Sequence, residues 1–193
     1  MAHIFDLALL RRGCSQCLLR QLCLPAGIDA AELSRLDDIV KRRRTVQPGE
    51  RLFRPGDPLQ AVYVARDGAF KTISTSEEGE EQIMGFHLPG ELMGLDGLAS
   101  GQHASAAIAL EDAEVCAIPY ASLNRLAAES SDLQMLMARL MSREIVREHS
   151  LMMLLGSMNA EERLAAFLLN ISQRMKVRGY SATAYDAALA PRK

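Results

Sequence analysis

Apolar positions along the chain change period three times, and each change marks an element boundary. From Ile28 to Arg44, Ile28, Leu33, Leu36, Ile39 and Val40 recur at helical spacing, so a helix is predicted over residues 28–44. It ends in Lys41-Arg42-Arg43-Arg44, bases that suit a helix C-terminus, a phosphate-binding patch being the other reading. From Thr45 to Pro119 short β-type runs alternate with turn signals: Gln47-Pro48-Gly49, Arg54-Pro55-Gly56-Asp57, Asp67-Gly68, Glu78-Gly79 and Leu88-Pro89-Gly90. Strands are predicted at Ala61–Ala65, Ala69–Thr75, Gln82–Leu88, Ala104–Leu110 and Ala113–Pro119. Many short strands with Gly/Pro turns at near-regular spacing predict a sandwich or barrel.

After Pro119 the helical period returns. A short helix is predicted at Tyr120–Ala128, then a long one with Ser131 as N-cap reaching about Leu155. A third helix is predicted from Asn159, with Glu162 three residues on as in a capping box and Leu164, Phe167, Leu168 and Ile171 on one face. From Ala182 no periodicity remains, and a disordered tail is expected. In the long helix Met137, Met141, Ile145, Glu148, Met152 and Leu155 step by four or three, a coiled-coil seam. Its methionines pack adaptably, and Glu148 would meet its own copy across a two-fold axis, with Arg143 and Arg147 near enough to screen it. A homodimer on a marginal seam follows; packing of the stripe on the sheet domain is the competing reading.

Composition adds limits. In 193 residues, 49% apolar, there is material for a good-sized core, and a net charge of −2 gives no global pull toward nucleic acid or membrane. The first residues lack the basic and apolar regions of a secretory signal, and no run of 18 apolar residues predicts a membrane span, so a cytoplasmic location is expected. There thiols stay reduced, and clustered cysteines read as metal ligands before disulfides.

Four cysteines carry the candidate chemistry. Cys14, Cys17 and Cys23 lie together as C-S-Q-C-L-L-R-Q-L-C, and Cys116 stands far off in E-D-A-E-V-C-A-I-P. Four thiolates suit an iron–sulfur cluster or a tetrahedral zinc. The C-x2-C-x5-C spacing with one remote cysteine fits zinc, with its usual paired C-x-x-C, less well. A Cys116 that is simply a strand residue is the third reading. Arg11, Arg12 and Arg20 surround the arm and are expected to lower the thiol pKa values. The histidines His3, His87, His103 and His149 form no H-x-H pair, so an iron oxygenase of the cupin kind is not expected and the chain is read as a non-enzyme.

The arm, the stretch G-F-H-L-P-G-E-L-M-G-L-D-G-L, the fourth cysteine in E-V-C-A-I-P and N-A-E-E-R-L-A-A-F-L-L-N together resemble the oxygen-sensing fumarate-and-nitrate-reduction (FNR) regulators of the cyclic-AMP receptor protein superfamily, from about residue 10 to about residue 183. Among them the sequence looks closest to the Anr-like anaerobic regulators of pseudomonad-type bacteria. The resemblance implies an α+β fold: an N-terminal arm and helix, an antiparallel β-roll of the cyclic-nucleotide-binding jelly-roll type, a long C-terminal dimerisation helix and a winged helix-turn-helix. It implies a [4Fe–4S] cluster on Cys14, Cys17, Cys23 and Cys116, a DNA-binding homodimer, and RNA polymerase and promoter DNA as partners of the intact relative. A polymerase-contacting surface is implied near Lys71 and the loop Ser76–Glu81, for which a solvated acidic hairpin tip is the plainer reading.

The expected domains are a cysteine-bearing arm (1–24), a β-roll sensor (25–128), a dimerisation helix (129–157) and the start of a DNA-binding domain with a tail (158–193). The sequence departs from the resemblance near residue 184, where Ala184-Tyr185-Asp186-Ala187-Ala188 leads to Lys193 with no recognition helix. A premature stop or frameshift is one account, and the expectation is a chain that senses and dimerises without specific DNA binding. The segment Ser100-Gly101-Gln102-His103-Ala104-Ser105-Ala106 follows Gly90-Glu91-Leu92 but contains no arginine to pair a phosphate, so no cyclic nucleotide is expected. Glu91 is read as a turn residue. A zinc-stabilised or cluster-free dimerisation module is the alternative function.

Overall fold

A computed structural model describes Cys14, Cys17, Leu19, Leu22, Cys23, residues 28–40 and residues 42–181, leaving the side chains of Arg42, Leu154 and Leu155 aside. The chain divides into two compact units, Met1–Gln134 and Met135–Lys193.

The first unit opens with α1, Ala30–Ile39. Asp29 caps it, its carboxylate accepting the Glu32 N–H at 2.8 Å. Eight strands follow: β1 Arg42–Val46, β2 Arg51–Phe53, β3 Ala61–Asp67, β4 Phe70–Thr75, β5 Glu81–His87, β6 Leu92–Met93, β7 Ala106–Ala109 and β8 Ala113–Pro119. They form two antiparallel four-stranded sheets, in the orders β1-β8-β3-β6 and β2-β7-β4-β5. Both sheets send side chains into one core, among them Val46, Phe53, Ala65, Phe70, Met93 and Val115. The unit continues through α2, Tyr120–Ala128, and the beginning of α3, Ser131–Ser157. α1 packs on α2, and α2 on β3 and β8, so that Leu36, Val62, Ile118 and Leu123 are buried outside the sandwich.

This is the expected α+β jelly roll. The helix predicted over residues 28–44 is corrected, because α1 stops at Ile39 and Arg42–Arg44 open the edge strand β1 instead of closing a helix. The gain that decides it is a full ladder: Arg42 to Val46 pair with Ala117 back to Ala113 on β8. β2 and the two-residue β6 were not expected. The N-cap of α3 is also corrected from Ser131 to Ser130, whose hydroxyl accepts the Leu133 N–H at 3.0 Å.

Tight turns sit where Gly punctuates the sequence. At Gly68 the backbone takes φ +72°, and a Cβ would come within 2.7 Å of the Ala113 Cβ.

The second unit holds the rest of α3 and α4, Ala160–Val177. Asn159 and Glu162 form the expected capping box. The helix ends in a Schellman turn, with the Tyr180 N–H bonded to the Met175 carbonyl and Gly179 at φ +81°. The expected disordered tail from Ala182 lies outside the described residues.

Candidate cysteine centre

β8 positions the remote cysteine. Alternation puts Ala113 and Val115 in the sandwich core and turns Glu114, Cys116 and Ile118 to the outer face. Cys116 lies opposite Arg43 on β1 and Val64 on β3. A register shift between Ala65 and Asp67 makes Arg66 a bulge, the device by which a strand re-aims a side chain. The Arg66 Nε lies 3.1 Å from the Glu114 carboxylate in a largely buried ion pair on this face.

The arm comes to the same face. The Cys17 N–H donates to the Cys14 carbonyl at 3.2 Å, and the Cys23 N–H to the Leu19 carbonyl at 3.0 Å, so two turns carry the three cysteines. The arm seats on the turn before β6. Gly90 there has φ +91°, and a Cβ on it would meet the Leu22 Cβ at 3.0 Å. The Gly90 N–H donates to the Ala65 carbonyl at 2.7 Å, and the Glu91 carboxylate accepts the Leu88 N–H at 3.1 Å, which is the turn role expected of Glu91. A second anchor is the Cys14 N–H, which donates to the Asp37 carboxylate of α1.

All four cysteines are half-buried free thiols. Cys14 and Cys116 lie close enough for each to respond to Cys17, and Cys14 also to Cys116. Burial, then the hydrogen bond and charge of Asp37, push the Cys14 thiol up to about 12. Burial also raises Cys116, against the opposing pull of Arg66 and Arg43. Arg11, Arg12 and Arg20, expected to lower the thiol pKa values of the arm, lie outside the described residues. Arg43, Arg66, Asp37 and Gly90 were missed, since each reaches the centre only through long-range pairing.

Soft donors, partial burial and two guanidinium groups fit a cluster that takes its thiols as thiolates. Among the described residues no three His, Cys, Asp or Glu converge on one point as a single metal ion requires. The fold brings Cys14, Cys17 and Cys116 within electrostatic reach of one another, and Cys23 follows in the same arm.

From this centre a chain of contacts leads to the foot of α3. Glu32 of α1 accepts the hydroxyl of Ser130, and Arg35 pairs with Glu129. Ser130 is buried and caps α3. Among the described residues the second Glu32 oxygen is buried with no hydrogen-bond partner.

In the second unit, the expected seam residues Met141, Ile145 and Met152 are 38%, 53% and 61% exposed, Glu148 is exposed, and Met137, in the same helix, is half-buried. The Leu155 side chain is outside the described residues. Val146, Leu151 and Met153 are exposed too, so the apolar surface is wider than the seam. Arg147 pairs with Glu144 at 3.3 Å. Of the histidines, His87 and His103 are buried and His149 is exposed. His3 lies outside the described residues. No helix among the described residues is long and apolar enough to cross a membrane.

Comparison with known proteins agrees with this architecture. A cyclic nucleotide-binding domain model matches residues 43–130. The chain is 48% identical over 172 residues to the transcriptional regulatory protein btr of Bordetella pertussis, covering 89% of this chain and 71% of that one. It is 46% identical over 176 residues to the transcriptional activator protein Anr of Pseudomonas protegens (91% and 72% covered). It is 45% identical over 168 residues to the fumarate and nitrate reduction regulatory protein of Escherichia coli K12 (87% and 67% covered). Among solved structures, FixK2 from Bradyrhizobium japonicum superposes with a TM-score of 0.65 at 25% identity, covering 77% of this chain and 82% of that one. The Thermus thermophilus catabolite activator protein superposes at 0.58 and 24% identity (86% and 84% covered), a likeness of fold. With a roll of this topology and identities this high over most of its length, the chain belongs to the fumarate-and-nitrate-reduction family of transcription regulators within the cyclic-AMP receptor protein superfamily, and not to an enzyme family.

Proposed function

We propose that this chain is the sensing and dimerising part of an oxygen-responsive transcription regulator, with Cys14, Cys17, Cys23 and Cys116 as ligands of a [4Fe–4S] cluster. The observation that carries this reading is the outward turn of Cys116 on β8 into electrostatic reach of Cys14 and Cys17. When bound, such a cluster supplies a redox-active inorganic core whose potential depends on its ligands, charge and exposure. The C-x2-C-x5-C spacing with one remote cysteine favours it over a single zinc ion, whose structural sites usually show paired C-x-x-C.

The chain's own residues do the rest. Arg66 and Arg43 favour the thiolate of Cys116 against its burial. The Cys14 N–H on Asp37 and Leu22 on Gly90 fasten the ordered arm to α1 and to the roll. α1 in turn holds the foot of α3 through Glu32 and Arg35. An ordered arm thereby biases α3 toward a state in which Met141, Ile145 and Met152 pair with a second copy. Shifting a chain from mostly monomer to mostly dimer takes only a few kcal/mol.

Anaerobically purified protein should be brown and sediment as a dimer, and air should bleach it and return it to monomer. A colourless protein whose sedimentation ignores air would contradict the proposal.

A further inference from the structure

Asp96 stands on a 3-10 turn, Leu95–Gly97, just after β6. One of its oxygens, Oδ2, accepts three hydrogen bonds: from the Ala104 N–H at 2.9 Å, the Ser105 N–H at 2.9 Å and the Ser105 hydroxyl at 2.8 Å. The other, Oδ1, lies 3.1 Å from His103 Nδ1. Four donor groups from three consecutive residues thus converge on one carboxylate. Successive backbone N–H groups with a hydroxyl beside them are a nest for an oxyanion.

The donor segment is held independently of the acid. The His103 ring stacks on Phe53 with centroids 3.9 Å apart, and a Cβ on Gly94 would sit 3.1 Å from its Cε1. The backbone N–H of His103 donates to the Asp57 carbonyl, and its own carbonyl accepts the Gly56 N–H. The rim is open, since Asp96 and Ala104 are exposed. Burial raises the Asp96 carboxyl, but the hydrogen bonds from His103 and Ser105 outweigh it and hold it below its ordinary value, so it is an anion at neutral pH.

The expectation of no cyclic nucleotide rested on the missing arginine between residues 100 and 106. The structure adds a different reason, an anion already in place. We infer that residues 103–105 form an oxyanion cradle of the phosphate class, filled from within by Asp96, which determines that the roll takes no phosphorylated ligand. An incoming phosphate would find its donors engaged and a like charge in its seat. This holds whatever the cysteines bind.

The test uses the full chain and inorganic phosphate. Thermal melts of wild type, Asp96→Ala and Asp96→Ala with Ser105→Ala are compared in chloride and in phosphate at matched ionic strength. Phosphate stabilises many proteins by exclusion from their surface, so the difference between variants is the signal. The expected result is a phosphate-dependent rise in Tm for Asp96→Ala several degrees beyond that of wild type, lost in the double variant. Equal rises in all three chains would overturn the inference, as would an extra rise in Asp96→Ala that persists undiminished in the double variant. Should Asp96→Ala fail to fold in chloride, refolding from urea into phosphate gives the same reading: recovery of the native circular dichroism spectrum supports the cradle, and no recovery overturns it.

Discussion

Replacing Glu148 by Ala should make the cluster-free protein dimerise more readily. Glu148 is exposed on α3 between Ile145 and Met152, both of them open apolar side chains. On a two-fold seam it meets its own copy. Two carboxylates about 6–8 Å apart repel by roughly 0.5 kcal/mol in a water-like dielectric and by ~3 kcal/mol at the effective value near a protein surface. Arg147 offers limited relief, because it is already paired with Glu144. Removing the charge should therefore tighten the dimer about 2- to 100-fold, with a few tenths of a kcal/mol per helix added by the better helix former. Sedimentation equilibrium of metal-free protein measures this directly. Glu148→Gln should follow Glu148→Ala, and Glu148→Lys should stay monomeric, since like charges repel whatever their sign. High salt should narrow the gap between wild type and Glu148→Ala, as the repulsion is screened over about 10 Å at 0.1 M. Equal dissociation constants for wild type, Glu148→Ala and Glu148→Lys would refute the seam.

Three further outcomes follow from the first unit. Gly90→Ala puts a methyl against Leu22 at a positive φ, so the arm should lift from the roll and Cys17 should become more reactive to a bulky alkylating agent; unchanged labelling would count against the docking. Ser130→Ala removes the cap of α3 and the donor to a Glu32 carboxylate whose other oxygen is already buried without a partner, a loss of ~2–3 kcal/mol by urea unfolding, and a loss under 0.5 kcal/mol would contradict that role. Asp96 has a folded pKa below its ordinary value of 3.8, so its contribution is complete above that pH and disappears as pH falls through the folded value. Acid unfolding below pH ~4 should accordingly be less steep in Asp96→Asn than in wild type, as read by circular dichroism, and identical curves would remove Asp96 from the account.

The turns were the most legible part of the sequence. Gly49, Gly56, Gly68, Gly79 and Gly90 all adopt positive φ, and the strands predicted between them lie where they were expected to within about two residues. β1 was hidden because its residues, Arg-Arg-Arg-Thr-Val, bury only Val46 among the side chains described, so no alternation announces an edge strand. Its basic run also suited the C-terminus of the preceding helix, whose apolar spacing ends at Val40. The four thiols were legible as candidate ligands from their spacing, but the outward face that Cys116 takes on β8, opposite to that of the core-facing Val115, came only with the strand register. The electrostatics were not: Arg66 reaches the centre through a bulge, Arg43 through a strand pairing, and Asp37 through a helix that no local pattern ties to Cys14. The Asp96 cradle was equally silent, because the sequence shows an absent arginine more readily than a carboxylate eight residues from its donors.

The most direct measurement of the central claim is iron and acid-labile sulfide content after anaerobic reconstitution of wild type and Cys116→Ser side by side. The account predicts about four of each per chain in a brown wild type, and a colourless or rapidly bleaching Cys116→Ser with far less. Equal iron and sulfide in both chains, or a colourless wild type holding about one zinc, would contradict it.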